Sequence, residues 1–189
     1  FDELCARTSR ADTVVQVPLD GVLDARCVTT LTGGTIVPFT LTIDGGGTDT
    51  GDGPGSLQNG FVTKAVAMMK NAGEVANALP DDGHFAADTH HPDVQLHFSN
   101  DAAATAPQTH MVNPKGGTFT FAVPSATYSK MFLFFHGADN GTTVKITLKY
   151  ADATTQVVNA MIPDYFNAPT DPAVFVLAPN LAKWSKTTT

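Results

Sequence analysis

Residues 144–150 read Val-Lys-Ile-Thr-Leu-Lys-Tyr, with Val144, Ile146, Leu148 and Tyr150 alternating against Lys145, Thr147 and Lys149. A period of two is the mark of a strand with one face buried and one in water. The same alternation recurs upstream. Phe39, Leu41 and Ile43 alternate with Thr40 and Thr42; Val94, Leu96 and Phe98 with Gln95 and His97; Phe119, Phe121 and Val123 with Thr118, Thr120 and Ala122. Met131 to Phe135 is apolar throughout, which suits a central strand covered on both sides. Gln156–Ile162 and Ala173–Leu177 add two more strand candidates.

Turn residues separate these runs: Gly33-Gly34, the stretch from Asp44 to Gly55, Pro80 to Gly83, Asn113-Pro114, Lys115 to Gly117 and Asp139-Asn140-Gly141. Asn140-Gly141-Thr142 also forms an N-glycosylation sequon, but Asn-Gly here is first a turn. Many short strands at this spacing predict an all-β fold. The expected architecture is an antiparallel β-sandwich of jelly-roll type with long loops and at most one short helix. Residues 1–189 contain no linker or repeat and read as a single domain. One stretch departs from the pattern. Phe61 to Leu79 starts like a strand and then turns rich in Ala and Met, which predicts a strand passing into a short helix or irregular loop.

The whole chain is acidic, with a formal charge of −7, and only 15% of its residues are charged. A basic surface, which supplies most nucleic-acid affinity, is therefore not expected. No run approaches the ~18 apolar residues of a membrane span. The Thr- and aromatic-rich composition suits a secreted or cell-surface β protein, and Phe1 fits a processed terminus. Cys5 and Cys27 are expected to form a disulfide worth about 3 kcal/mol; two buried thiols are the alternative.

Chemistry concentrates in Leu79 to His97, which holds four of the six histidines and the carboxylates Asp81, Asp82, Asp88 and Asp93. The histidines are spaced six, one and six apart, unlike the short spacings of zinc sites. Alternation assigns His97 to an outer strand face, and adjacent His90 and His91 would point apart in an extended chain. The ligand-binding candidates are Asp82, His84, Asp88, His90 and His91, with His136 at the end of the Met131–Phe135 run. The alternative is a polar loop whose side chains satisfy its own backbone.

A second candidate is the glycine-rich run holding Asp44, Asp49 and Asp52, where carboxylates and carbonyls could surround Ca²⁺. Its spacing is not that of an EF-hand, and a solvated loop is the alternative. No G-x-S-x-G, H-E-x-x-H or phosphate loop is present. Trp184, in a polar tail, reads as a terminal segment docking its one large ring.

The C-terminal half carries His136-Gly137-Ala138-Asp139-Asn140-Gly141, then Tyr150-Ala151-Asp152, then Ile162-Pro163-Asp164-Tyr165. Over about fifty residues this is similar to galactose-binding-like accessory modules of secreted bacterial glycosidases. Ala153 stands where their Tyr-x-Asp-Gly hairpin has glycine, and Tyr165 where their corner has tryptophan. The resemblance implies a β-sandwich with a noncatalytic, glycan-associated role, often with a structural Ca²⁺. It also implies a last core strand after Trp184, so either the sequence is a fragment of a longer protein, the fold closes differently, or another chain completes the sandwich.

The leading expectation is thus a secreted recognition module for carbohydrate or a glycan-bearing surface. A secreted hydrolase or lyase using His and Asp in loop 81–91 is the second, and a structural or adhesive surface protein the third. An open sheet edge is available for pairing with another chain.

Overall fold

The alternating run at 144–149, extended back to residue 142, forms half of the longest ladder among the described residues. The structure is a computed structural model that describes residues 13–19, 21–43, 59–70, 75–110, 117–137, 141–164 and 167–185. In chain order the elements are β1 (Val28–Thr32), β2 (Thr35–Val37), β3 (Asn59–Val62), helix α1 (Lys64–Lys70) and a 3-10 turn at Val75–Asn77. They continue with β4 (His84–Phe85), β5 (Val94–Gln95), β6 (Thr142–Lys149), β7 (Thr155–Ile162) and β8 (Lys183–Ser185). Among the described residues these make a four-stranded sheet in the order β2-β1-β3-β8 and two hairpins, β4-β5 and β6-β7. The described fold is therefore mostly strand, with α1 its one α-helix.

The four-stranded sheet is not wholly antiparallel. β1 runs parallel to β3, with Val28 opposite Phe61 and Thr29 opposite Val62, while β2 and β8 are antiparallel to their neighbours. A parallel pair needs a long crossover, and residues 33–58 supply it through β2. Two apolar clusters cover this sheet. Val28, Ile43, Phe61, Leu79 and Phe98 form one; Val62, Val66, Ala67, Ala78 and Ala182 form the other, with Trp184 packed at its edge. Trp184 lies on β8, and Lys70 Nζ sits 5.8 Å above its ring, so the terminal segment docks there as expected.

Gly60 is required by this packing. A Cβ at that position would fall inside the buried Phe39 ring, and overpacking of this kind costs about 1–3 kcal/mol.

Three threonines, Thr29, Thr30 and Thr63, are fully buried, and each hydroxyl has a partner. Arg26 is buried beside them. Its guanidinium donates to Thr30 Oγ1 at 2.9 Å and Ala106 O at 2.8 Å, while Nε has no partner among the described residues. Burial pulls the pKa of this guanidinium below its ordinary value.

The strand expected at Phe39–Ile43 is not one. Thr40 and Leu41 donate instead to the single carbonyl of Arg26, and Ile43 to Asn59, so Phe39 and Ile43 are buried without a ladder while Leu41 is exposed. The runs 119–123, 131–135 and 173–177 are also not strands. No backbone–backbone hydrogen bond joins residues 117–135 to another described residue. Their alternation is used for ring contacts: Phe119 packs on His110 at 4.4 Å and on Phe121 at 5.9 Å.

Cys27 is a free, half-buried thiol, so the expected disulfide is not made. Burial pushes its pKa up to about 11, and Cys5 lies outside the described residues.

The β6-β7 hairpin closes through a three-residue loop. Tyr150 N donates to Thr154 O, Asp152 Oδ1 accepts from Thr154 N and Oγ1, and Ala153 adopts φ of 66°. A turn followed by a left-handed residue is the usual geometry for this loop length, and that residue is ordinarily glycine. Alanine there carries about 1–2 kcal/mol of Cβ–carbonyl crowding. Ala153→Gly is therefore expected to raise unfolding stability by about 1 kcal/mol, read from the midpoint of chemical denaturation.

Candidate functional site

Residues 80–95 form a looped hairpin whose neck is only two residue pairs, His84 with Gln95 and Phe85 with Val94. So short a ladder cannot hold the eight residues it encloses, and side chains do much of the work. At the entry, Pro80 to Gly83 makes a tight turn, with Gly83 N donating to Pro80 O at 3.2 Å. Gly83 has φ of 74°, and a Cβ there would strike the carbonyl of Phe98.

Asp81 points inward. Its Oδ1 accepts from Ala65 N at 2.8 Å, in the first turn of α1, and from Asn100 Nδ2 at 2.9 Å. Asp82 is exposed and turns back on its own loop, accepting from His84 N at 3.0 Å. Its carbonyl receives Gln95 Nε2 at 2.6 Å. Gln95 N in turn donates to Gln16 Oε1 at 3.0 Å, and Gln95 O accepts from Gln16 Nε2, which ties Gln16 along β5.

Across the neck, His84 Nε2 lies 3.0 and 2.9 Å from the two oxygens of Asp93. Both groups are substantially exposed, with side chains 42% and 66% accessible. An ion pair in that setting contributes about 0–1 kcal/mol.

At the tip, Asp88 organises the backbone. Its Oδ1 accepts from His90 N at 2.7 Å and His91 N at 2.9 Å, and Asp88 N donates to His91 O. These two amide donors hold the Asp88 carboxyl below its usual pKa range, with the nearby histidines adding a smaller effect.

The bend at residues 89–90 brings both adjacent histidines to one side. The expectation that His90 and His91 diverge applies to an extended chain, and the backbone here is not extended. Both rings lie nearly parallel to Phe175, with centroids 6.0 Å away for exposed His90 and 5.7 Å for buried His91. Phe134 meets His91 and Phe175 edge-on, at 6.4 and 6.3 Å. His91 is fixed further by its Nδ1 contact of 2.6 Å to Pro92 O and by Asp88 Oδ1 at 3.6 Å from Nε2.

His136 serves elsewhere. Its Nε2 is 2.7 Å from Ile43 O, and its ring meets Phe61 of β3 edge-on at 4.9 Å. It therefore tethers the 131–137 segment to the four-stranded sheet, while Phe134, two residues earlier, reaches the loop.

Three contributors were not among the sequence candidates. Phe175 and Phe134 read only as strand residues, and Asp93 only as one carboxylate of four. No local pattern connects Phe175 to a loop eighty residues away. Asp44, Asp49 and Asp52 lie outside the described residues. Among the described residues, no group of three or more His, Cys, Asp and Glu side chains is arranged to hold a metal ion.

The arrangement is thus an aromatic cluster of two histidines and two phenylalanines, bordered by exposed carboxylates. The chain matches no protein-family model, no curated protein and no solved structure.

Asp88 gives this loop a defined pH dependence. Its carboxyl is depressed in the folded chain, so its contribution is complete above the ordinary carboxylate range and is lost as pH falls through the depressed value. Asp88→Asn is expected to lower the melting temperature at pH 7 and to leave it unchanged near pH 2, measured by thermal denaturation at both values.

Proposed function

We propose that the protein is a secreted, noncatalytic recognition module of β-sandwich type that binds carbohydrate or a glycan-bearing surface through the 82–93 loop. The single observation that carries this reading is the ring cluster of His90, Phe175, His91 and Phe134 beside the exposed carboxylate of Asp88. A sugar presents an apolar C–H face and a ring of hydroxyls. A partly exposed aromatic surface accepts the first, and carboxylates accept hydrogen bonds from the second. His90 is exposed and Phe175 half-buried, so the cluster has an accessible edge backed by buried His91. The acidic chain, at −7, favours a neutral sugar over a sulfated or uronate one.

One observation favours a hydrolase or lyase instead, namely the close His84–Asp93 pair, which has the form of a carboxylate-oriented base. No serine or cysteine contact accompanies it in the described loop. The two readings separate on one pair of variants. On native gels containing soluble neutral polysaccharides, the parent chain is expected to be retarded, and Phe175→Ala to lose at least tenfold in affinity with its circular dichroism unchanged. Turnover of any of those polysaccharides, abolished by His84→Ala, would establish catalysis in place of recognition.

Calcium enters this reading only through Asp44, Asp49 and Asp52. A fall of the melting temperature on adding EDTA, restored by excess Ca²⁺, is the result expected; coincident curves would remove the cation from the proposal.

A further inference from the structure

The β6-β7 hairpin pairs only with itself among the described residues, which leaves an outer edge on each strand. The two edges differ in kind. β6 carries Lys145 and Lys149, and lysines on an edge are a usual defence against unwanted pairing. β7 reads Thr-Gln-Val-Val-Asn-Ala-Met-Ile, without charge or proline, and Val157, Val158 and Met161 are 50%, 41% and 50% exposed on it. Seven or eight uncharged residues of high β propensity on an open edge are a template for another strand.

We propose that the outer edge of β7 pairs antiparallel with β7 of a second copy of this chain, around a two-fold axis at Asn159. Directly opposite residues share a face, so only registers that keep odd positions against odd ones preserve the hairpin's apolar side. With Asn159 opposite itself, Val157 faces Met161 of the second copy, Val158 faces Ala160, and Gln156 faces Ile162. The two exposed large side chains of the outer face thereby cover each other, and an apolar cross-strand pair stabilises a sheet locally. Pro163, which has no N–H to give, falls at the margin of the ladder. On the inner face, Val144, Ile146 and Leu148 of both copies join Val158 and Ala160 in one continuous apolar surface.

Charge permits this partner, since β7 carries none along its length. The pairing brings no two charged residues into opposition at the new ladder. The lysines of the two β6 strands end up three strand spacings apart, about 14 Å, which exceeds the Debye length of about 8 Å in physiological salt. An acidic peptide would find its complement on β6, not on β7. The interface is isologous, which is the commonest way for identical chains to associate.

Asn159 is exposed, lies outside both apolar clusters and stands opposite Lys145 in the hairpin, so an acidic residue there suits the fold while setting like charges against each other across the two-fold axis. Sedimentation equilibrium in about 150 mM salt is expected to give twice the chain mass for the parent and the single-chain mass for Asn159→Glu, with unchanged circular dichroism. Under mild oxidation, Asn159→Cys is expected to form a disulfide-linked dimer, and Lys145→Cys to form no more than the parent does. A parent that stays monomeric at tens of micromolar would overturn the proposal. So would a dimer that survives Asn159→Glu, since another surface would then be responsible. Protection from exchange, in a monomer, of the alternate β7 amides that point away from β6 would also overturn it, by showing that the chain covers this edge itself. None of these readouts involves a glycan, so they stand apart from the recognition reading.

Discussion

The side-chain amide of Asn100 and the carboxylate of Asp81 form the joint on which the four-stranded sheet, α1 and the candidate loop depend. Asn100 Oδ1 accepts from Leu31 N and from Thr63 Oγ1, both at 3.0 Å, while its Nδ2 donates to Asp81. Asp81 passes the connection on to the first turn of α1, and its carbonyl receives Asn100 N. Four pieces meet there: β1, the end of β3, the helix and the loop that carries the candidate site. Each has backbone groups that no ladder satisfies. Leaving one such group buried without a partner costs about 1–3 kcal/mol, which is comparable to burying a whole aliphatic side chain. A two-residue neck does not position the loop by itself; this joint does, with Gly83 letting the chain pass close against the Phe98 carbonyl.

The same economy explains why so many polar groups are buried in a small core. Thr29, Thr30 and Thr63 fill volume next to Val62 and Val66, but each also satisfies a neighbour that a valine would leave unpaired. Arg26 is the extreme case. Its long side chain joins β1 to the Ala106 carbonyl, and the cost is a buried cation with one N–H unmatched. Segments with little regular structure, 98–110 above all, are held against the sheet by these bonds in place of strand pairing. The structure is consequently richer in side chain–backbone bonds than its strand count suggests.

This division decides what could be read from the sequence. The β6 and β7 strands were legible because their alternation is undisturbed and both are long. The break between β3 and α1 was legible because Ala and Met follow Phe61-Val62-Thr63. β1 was not, since Val28-Thr29-Thr30 buries two threonines, and a hydrophobic pattern treats them as solvent-facing. β8 was hidden in a tail of polar residues whose partners on β3, Asn59 to Phe61, are remote in the chain. Conversely, Phe39–Ile43 and Phe119–Val123 had the right period and no ladder. Periodicity reports which side chains could share an apolar side, and Phe39 and Ile43 do; it does not report where the backbone groups go. That His and Asp gather in the loop was legible. Its shape was not, because the fate of His90 and His91 depends on Asp88 accepting two amides and on Phe175 arriving from the far end of the chain.

These same bonds bear on recognition against catalysis. A general base needs an imidazole nitrogen free to reach a substrate, and a second group holding the ring. In His84 the nitrogen that the structure occupies is Nε2, taken by both Asp93 oxygens, and the pair is open to water and salt on every side. In His91 both nitrogens face oxygens, Pro92 O and Asp88 Oδ1, and the ring is buried against Phe175. The His91 imidazole is thus not presented as a working base, while Asp93 orients the exposed His84 ring by one nitrogen. The loop also presents a tip fixed by carboxylate–amide bonds that persist at neutral pH, and an aromatic edge in His90 and Phe175. Pre-ordered surfaces of that kind gain affinity by having little left to immobilise. Shape held in advance is what the proposed binding role requires.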